Sequence, residues 1–218
     1  MKKWIFLLLF LISAFVVIVI YAPSNKAGLI VQAIGVFVSS IIAISAIWGE
    51  LIRASLAGPK LVVSLYSPEG ELTNISSGPD VRHYHLKVLN KRSGVIARNT
   101  RVNIISLQRE EPGGWRTKQL VYGVQLPWAF SESQVLNIGP EAKCDVLSIV
   151  DKHDFKLAYY WRPNNVDPFF KAGQAVRIEV MAVAENAKSK VLPLELSWDG
   201  QWSKDDQEMK EHLKIREV

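Results

Sequence analysis

Hydrophobic positions follow two different patterns along the chain. From Trp4 to Ala22 there are 19 consecutive uncharged residues, mostly Leu, Ile, Val and Phe, and from Ala27 to Gly49 there is a second uncharged run of 23. The second is interrupted only by the polar Gln32, Ser39, Ser40 and Ser45. At ~1.5 Å rise per residue the runs reach ~28 and ~35 Å as helices, enough to match a hydrocarbon core of ~30 Å. Pro23, Ser24, Asn25 and Lys26 join them in a link too short for anything but an antiparallel pair. The pattern therefore predicts a membrane anchor over residues 1–57, a transmembrane two-helix hairpin with spans at about 4–22 and 27–49. A juxtamembrane helical stretch then runs to Ala57, where Gly58 and Pro59 end it.

Beyond Gly58 the helical period disappears. Short apolar or alternating runs succeed one another between Gly, Pro, Asn and Asp clusters: Lys60–Ser67, Val81–Asn90, Thr100–Gln108, Gln119–Leu126, Lys143–Val150, Phe155–Arg162, Gln174–Ala184 and Val191–Trp198. Side chains two apart share a face of a strand, so Tyr84, Leu86 and Val88 face inward and His83, His85 and Lys87 outward. By the same rule Val176, Ile178, Val180 and Ala182 point in, with Arg177 and Glu179 out. Leu192, Leu194, Leu196 and Trp198 point in, with Glu195 and Ser197 out. Half-polar alternation belongs to antiparallel sheets with one wet face. The expected fold is thus all-β, an antiparallel β-sandwich of about eight strands over residues 58–202. Residues 203–218 are expected to form a short helix and tail, with a helix from Lys204 to Leu213 capped by Ser203 and docked weakly through Met209 and Leu213.

Charge sharpens this division. Of 26 basic side chains only Lys2, Lys3 and Lys26 precede residue 50, and all 21 acidic ones lie in residues 50–218, so the net charge of +5 falls to +2 when those three lysines are set aside. Lys2 and Lys3 flank the first run, Arg53 and Lys60 follow the second, and Lys26 stands alone between them. Because basic flanks resist translocation, both termini are expected in the cytoplasm. Trp4, Tyr21 and Trp48 fall at the run ends, where aromatic rings favour the headgroup layer. A lysine pair before an apolar stretch is also the layout of a signal peptide, but this stretch exceeds the usual apolar length and no small-x-small cleavage site ends it. One cysteine, Cys144, fits a reducing compartment and excludes a disulfide scaffold.

Within the second run Gly28, Gln32, Gly35, Ser39, Ala43 and Ala46 recur at spacings of three and four, a small-residue stripe of the kind that lets membrane helices approach closely. Two occupants of that stripe are open: the first helix of the same chain, or further copies in a homo-oligomer.

Candidate chemistry is sparse. His83 and His85 share a strand face and would need a third ligand, such as His153, Asp151 or Asp154, to hold a metal; the commoner role is that of outward strand histidines, and no metal or cofactor is expected. Cys144 has only Lys143 as a basic neighbour, which fits a buried structural thiol better than a nucleophile. Phosphate-binding glycine loops, nucleophile elbows and framed carboxylate pairs are absent from the sequence, so no enzyme is expected. Asn74, Ile75 and Ser76 spell a glycosylation sequon, idle in the cytoplasm. The strongest local bias is residues 81–109, where Arg82, Lys87, Lys91, Arg92, Arg98, Arg101 and Arg109 occur without one acid. The first six are candidates for binding an anion or lipid headgroup, and the alternative is a solvated face paired with acids such as Glu179 and Glu195. With +2 on the domain and no recognition motif, nucleic acid is not an expected partner.

Val88, Asn90, Gly94, Ala97, Asn99 and Val102, in the context LKVLNKRSGVIARNTRVNI, resemble the strand, turn and strand of immunoglobulin-like adhesion-type domains of bacterial proteins. Ile138, Gly139 and Pro140 before the strand Cys144–Val150 are similar to the bend before a later strand of such domains, and Ala172, Gly173 to Val180 repeat the idea. The resemblance is thus to bacterial two-span membrane proteins carrying such a sandwich. It implies an immunoglobulin-like fold, here without the cysteine pair of antibody domains, and a non-catalytic binding or scaffolding role towards a protein partner. The layout alone also resembles two-span effectors of phage defence, whose cytoplasmic β domain senses a nucleotide signal and triggers oligomerisation in the membrane.

Overall fold

The computed structural model describes Ser13 and residues 27–74, 78–118, 120, 123–151, 153–167 and 169–218. They fall into two compact units that divide between Leu56 and Ala57.

In the first unit the backbone is helical without a break from Ala27 to Ala57, helix α1, whose 31 residues amount to about 46 Å. The expected first span and the hairpin link lie outside the described residues apart from Ser13, which is helical. Several side chains of α1, Leu29, Ile30, Ile44, Ile47 and Trp48 among them, are also outside the described set. Among the described residues no helix is long and apolar enough to cross a membrane, and the expected transmembrane hairpin is not found.

The second unit begins with a turn at Gly58 and Pro59 and is built from strands β1 (Leu61–Leu65), β2 (Glu71–Thr73), β3 (Val81–Asn90), β4 (Ala97–Glu111), β5 (Gly114–Lys118), β6 (Val124–Gln125), β7 (Leu136–Ile138), β8 (Glu141–Val150), β9 (Phe155–Leu157), β10 (Phe169–Phe170), β11 (Val176–Ala184), β12 (Ala187–Lys188) and β13 (Leu192–Trp198). Helix α2 (Asp206–His212) and strand β14 (Leu213–Glu217) follow. Two antiparallel sheets face each other. One has the order β1-β3-β8-β9-β10 with β2 also on β3; the other has β14-β13-β11-β4-β5 with β6, β7 and β12 on its flanks.

Alternation explains the layers. Tyr84, Leu86 and Val88 of β3 lie fully buried against Val102 and Ile104 of β4, Val176, Ile178 and Val180 of β11, and Leu194 and Leu196 of β13 in one core. Full burial of each aliphatic side chain contributes roughly 1.5–3 kcal/mol. The ladder between β3 and β8 changes step: Tyr84 faces Leu147 and His85 faces Asp145, so Val146 is an extra residue in β8. The bulge lets the consecutive Val146 and Leu147 both reach the core, which a regular strand forbids. A similar shift between Glu179 and Val180 leaves Ile105 extra in β4.

Each of the eight expected runs contains a strand, with the sharpest agreement at Val81–Asn90. Three expectations need correction. The cap of α2 is Asp205, whose carboxylate accepts from the backbone N–H groups of Gln207 and Glu208, whereas the Ser203 hydroxyl accepts from Asp205 N and donates to Glu208. The chain after His212 is no tail: β14 pairs with β13 from Leu213 opposite Trp198 to Glu217 opposite Leu194. Met209 and Leu213 are fully buried, so the docking is not weak.

Candidate functional site

The acid-free basic segment does not form one face. β3 carries its first residues in one sheet and β4 its last in the other, and the turn between them crosses from layer to layer. Arg82 shares the even-numbered face with Tyr84 and Leu86 and is fully buried. Its Nη1 donates to Asp206 Oδ1 at 2.6 Å and to the Glu69 carbonyl at 3.0 Å. Its Nη2 donates to the carbonyls of Lys204 at 2.9 Å and Ser203 at 3.3 Å, and Trp202 packs on the guanidinium at 6.0 Å. Arg82 is therefore a clamp between β3, the β1–β2 turn and the start of α2, and it offers nothing to an external anion. Lys87 is held by Glu141 at 2.6 Å. Arg109 bonds Asp167 at 2.8 Å and Gln174 at 2.6 Å.

What remains clusters at one end of the sandwich. Lys91, Arg92 and Arg98 are exposed in or beside the β3–β4 turn, and Arg101 is exposed two residues further along β4 than Asn99. Arg92 Nη1 donates to the Gly58 carbonyl at 2.9 Å. Of the acids expected to neutralise the segment, Glu179 is exposed on β11 and Glu195 serves other arginines. Glu195 is on the outer face as expected but nearly inaccessible, because Arg216 and Arg177 lie over it, the latter through Nε at 2.8 Å and stacked on Trp115 at 4.0 Å. Burial alone would raise the Glu195 pKa, but the Arg216 and Arg177 hydrogen bonds hold it below the ordinary 4.5.

On the outer face of the other sheet His85 is buried between two carboxylates, with Nδ1 2.7 Å from Asp145 and Nε2 3.2 Å from Glu71. His83 stacks beside it at 6.3 Å. Burial pushes the His83 pKa below 6.5, against the pull of Asp145. The supplementary ligands proposed from sequence are not brought here: Asp151, His153 and Asp154 lie in the turn after β8, where Asp151 N bonds Asp80 O, just before β3 and five residues from His85. Among the described residues no group of three or more His, Cys, Asp or Glu side chains is placed to hold a metal ion. Cys144 is fully buried in β8, and burial first, then Asp145, pushes its thiol pKa far up, so it is held neutral.

These shifts set a pH dependence. His83, Glu195, Glu69 and Asp199 all have pKa values lowered by folding, so each contributes stability above its unfolded value and loses it as pH falls. Urea midpoints measured down the pH scale should therefore drop first below about 6.5 and again, more steeply, below about 4.5. A flat profile between neutrality and mild acid would contradict the placement of His83.

In α1 the stripe residues Gly28, Gln32, Gly35, Ser39, Ala43 and Ala46 are all exposed. Among the described residues nothing approaches within 4 Å of where a Cβ on Gly28 or Gly35 would stand. Exposed apolar side chains accompany them: Val31, Ile34, Val36, Val38 and Ile42. In the second unit a shallow groove of about 290 Å³ runs over the outer face near Ser106, Gln108, Arg177, Glu179, Pro193 and Val218.

Sequence reasoning missed two residues at the basic end, Val95 and Ile96, which are 39% and 53% exposed. Their signal was an apolar pair just after a glycine turn inside a basic stretch. No protein-family model matches the chain, and no match is found among curated proteins. Its class is therefore defined by architecture, a two-sheet antiparallel β-sandwich that follows helix α1 in the chain.

Proposed function

We propose that this chain is a non-catalytic binding or scaffolding module of a bacterial inner membrane, in which α1 and the apolar segment before it form a two-span anchor and the sandwich recruits a protein partner from the cytoplasmic side. The observation that carries this is the surface of α1. Val31, Ile34, Val36, Val38 and Ile42 stand exposed on a helix that has no charged residue before Glu50, and water is a poor surrounding for such a surface. Small residues between them give either the partner span or further copies a close approach. For the domain, the strand orders β1-β3-β8 and β13-β11-β4 correspond to the A-B-E and G-F-C orders of immunoglobulin-like sandwiches, which supports that finer description. Such domains bind through loops and edges, and the shallow outer groove is more in keeping with a protein contact than with an enclosed nucleotide site.

Fractionation with a topology reporter tests the proposal. The full chain should stay in the membrane pellet through alkaline carbonate washing, and a reporter after Val218 should be active only in the cytoplasm. Release by carbonate, or reporter activity outside the cell, would overturn it.

A further inference from the structure

The β3–β4 turn is firmly held and yet presents apolar side chains outward. Asn90, almost fully buried, organises it: its Oδ1 accepts from the backbone N–H groups of Lys60 and Arg92, both at 3.1 Å, and its Nδ2 donates to the Val95 carbonyl at 2.7 Å. Lys91 N donates to the Lys60 carbonyl at 2.9 Å. On the other side Asn186 donates to the Ile96 carbonyl at 3.1 Å and accepts from Arg98 N at 3.2 Å. The exposure of Val95 and Ile96 is thus fixed by a bonded frame, and a pair of exposed aliphatic residues on such a frame is the form of a contact surface.

Its position and charge select the occupant. The turn is bonded to Gly58 and Lys60, and Gly58 directly follows the last residue of α1. Lys91, Arg92 and Arg98 flank the apolar pair along the chain, Lys60 is bonded to the same turn, and all four are exposed, Arg92 being also held to the Gly58 carbonyl. The nearby acids are engaged, Glu141 with Lys87 and Glu185 with the Asn99 side chain at 2.6 Å. At the opposite end of the strands, in contrast, basic and acidic side chains meet in pairs, Lys204 with Asp80 and Arg82 with Asp206.

We propose that the β3–β4 turn is a lipid contact, with Val95 and Ile96 entering the interface of an anionic bilayer while Lys60, Lys91, Arg92 and Arg98 lie on its headgroups. The inference rests on the membrane anchor proposed above and adds a second point of attachment. Aliphatic insertion and headgroup attraction reinforce each other in this arrangement, and the electrostatic part is screened by salt.

The test uses the full chain in lipid nanodiscs of phosphatidylcholine with or without phosphatidylserine, carrying an environment-sensitive fluorophore at Ile96→Cys; buried Cys144 does not compete for the label. With anionic lipid, spin-labelled lipid should quench this probe at least about two-fold more than a probe at Gln201→Cys at the far end. The excess should vanish in neutral discs, at high salt, and in Lys91→Glu with Arg98→Glu, two exposed positions that leave the Asn90 frame in place. Chain retained in the discs with an unquenched probe at residue 96 would overturn the lipid contact and leave the anchor standing. Equal quenching in neutral discs would overturn the headgroup half. Failure of the chain to enter discs would overturn the anchor and this contact together.

Discussion

Replacing Arg82 with methionine will destabilise the sandwich by about 3 kcal/mol or more, although the substitution conserves volume and removes a charge from the interior. Methionine cannot donate to the carbonyls of Glu69, Ser203 and Lys204, which now converge on one guanidinium. Acceptors left unpaired in this partly buried site cost up to about 1–3 kcal/mol each. Asp206 is 64% exposed on its side chain and can return to water, so most of the loss comes from those carbonyls. Asp206→Asn should cost far less, about 1 kcal/mol, since an amide oxygen still accepts. Urea unfolding followed by tryptophan emission measures both, and Trp202 against the guanidinium makes the signal local as well as global. If the methionine variant unfolded within about 0.5 kcal/mol of the parent, the clamp would be no more than a surface ion pair.

A chain ending at His212 will fare as badly. It loses Leu213, which is fully buried, and the five-residue ladder that β14 makes with β13. It also loses Arg216, one of the two arginines over Glu195. β13 would become an edge strand, with the alternating Leu192, Leu194 and Leu196 available for pairing between molecules. The expected result is a loss of more than about 3 kcal/mol, accompanied by association on size-exclusion chromatography. Leu213→Ala alone should recover a large part of the destabilisation, about 2–4 kcal/mol, without exposing the edge. A truncated chain that stays monomeric at full stability would show β14 to be an ornament.

The two variants also mark where the sequence was legible. Long alternating segments announced themselves: β3, β11 and β13 were placed with their buried faces because period two is sustained over seven or more residues. β2, β7, β10 and β12 span only two or three residues and carry no period. Residues 119–126 looked like one run, but the strands near them are β5 and β6, and β5 starts at Gly114 after a turn in which Gly113 and Gly114 adopt positive φ. β14 was hidden because Leu213 continues the apolar side of the helix begun by Met209, and only cross-strand partners tell Leu213 to leave it.

The basic segment resists reading for a different reason. Linear proximity grouped Arg82 with Lys91 and Arg98, yet its even parity with Tyr84, Leu86 and Val88 already placed it inward. What parity could not supply was the partner, since Asp206 lies 124 residues away. Glu195 posed the reverse problem: its face was right, but the arginines that cover it come from two neighbouring strands.

The change of step between β3 and β8 has a consequence for how the sheet can err. In a uniform ladder a slip of two residues restores every side chain to its own layer, so mispaired states compete with the native one. Here Val146 acts as a tooth: sliding β8 by any small number of residues sets the extra residue against the wrong neighbour and drives either it or Leu147 towards water. The irregularity thus denies the growing sheet its cheapest mistake and leaves a single alignment in which both stay dry.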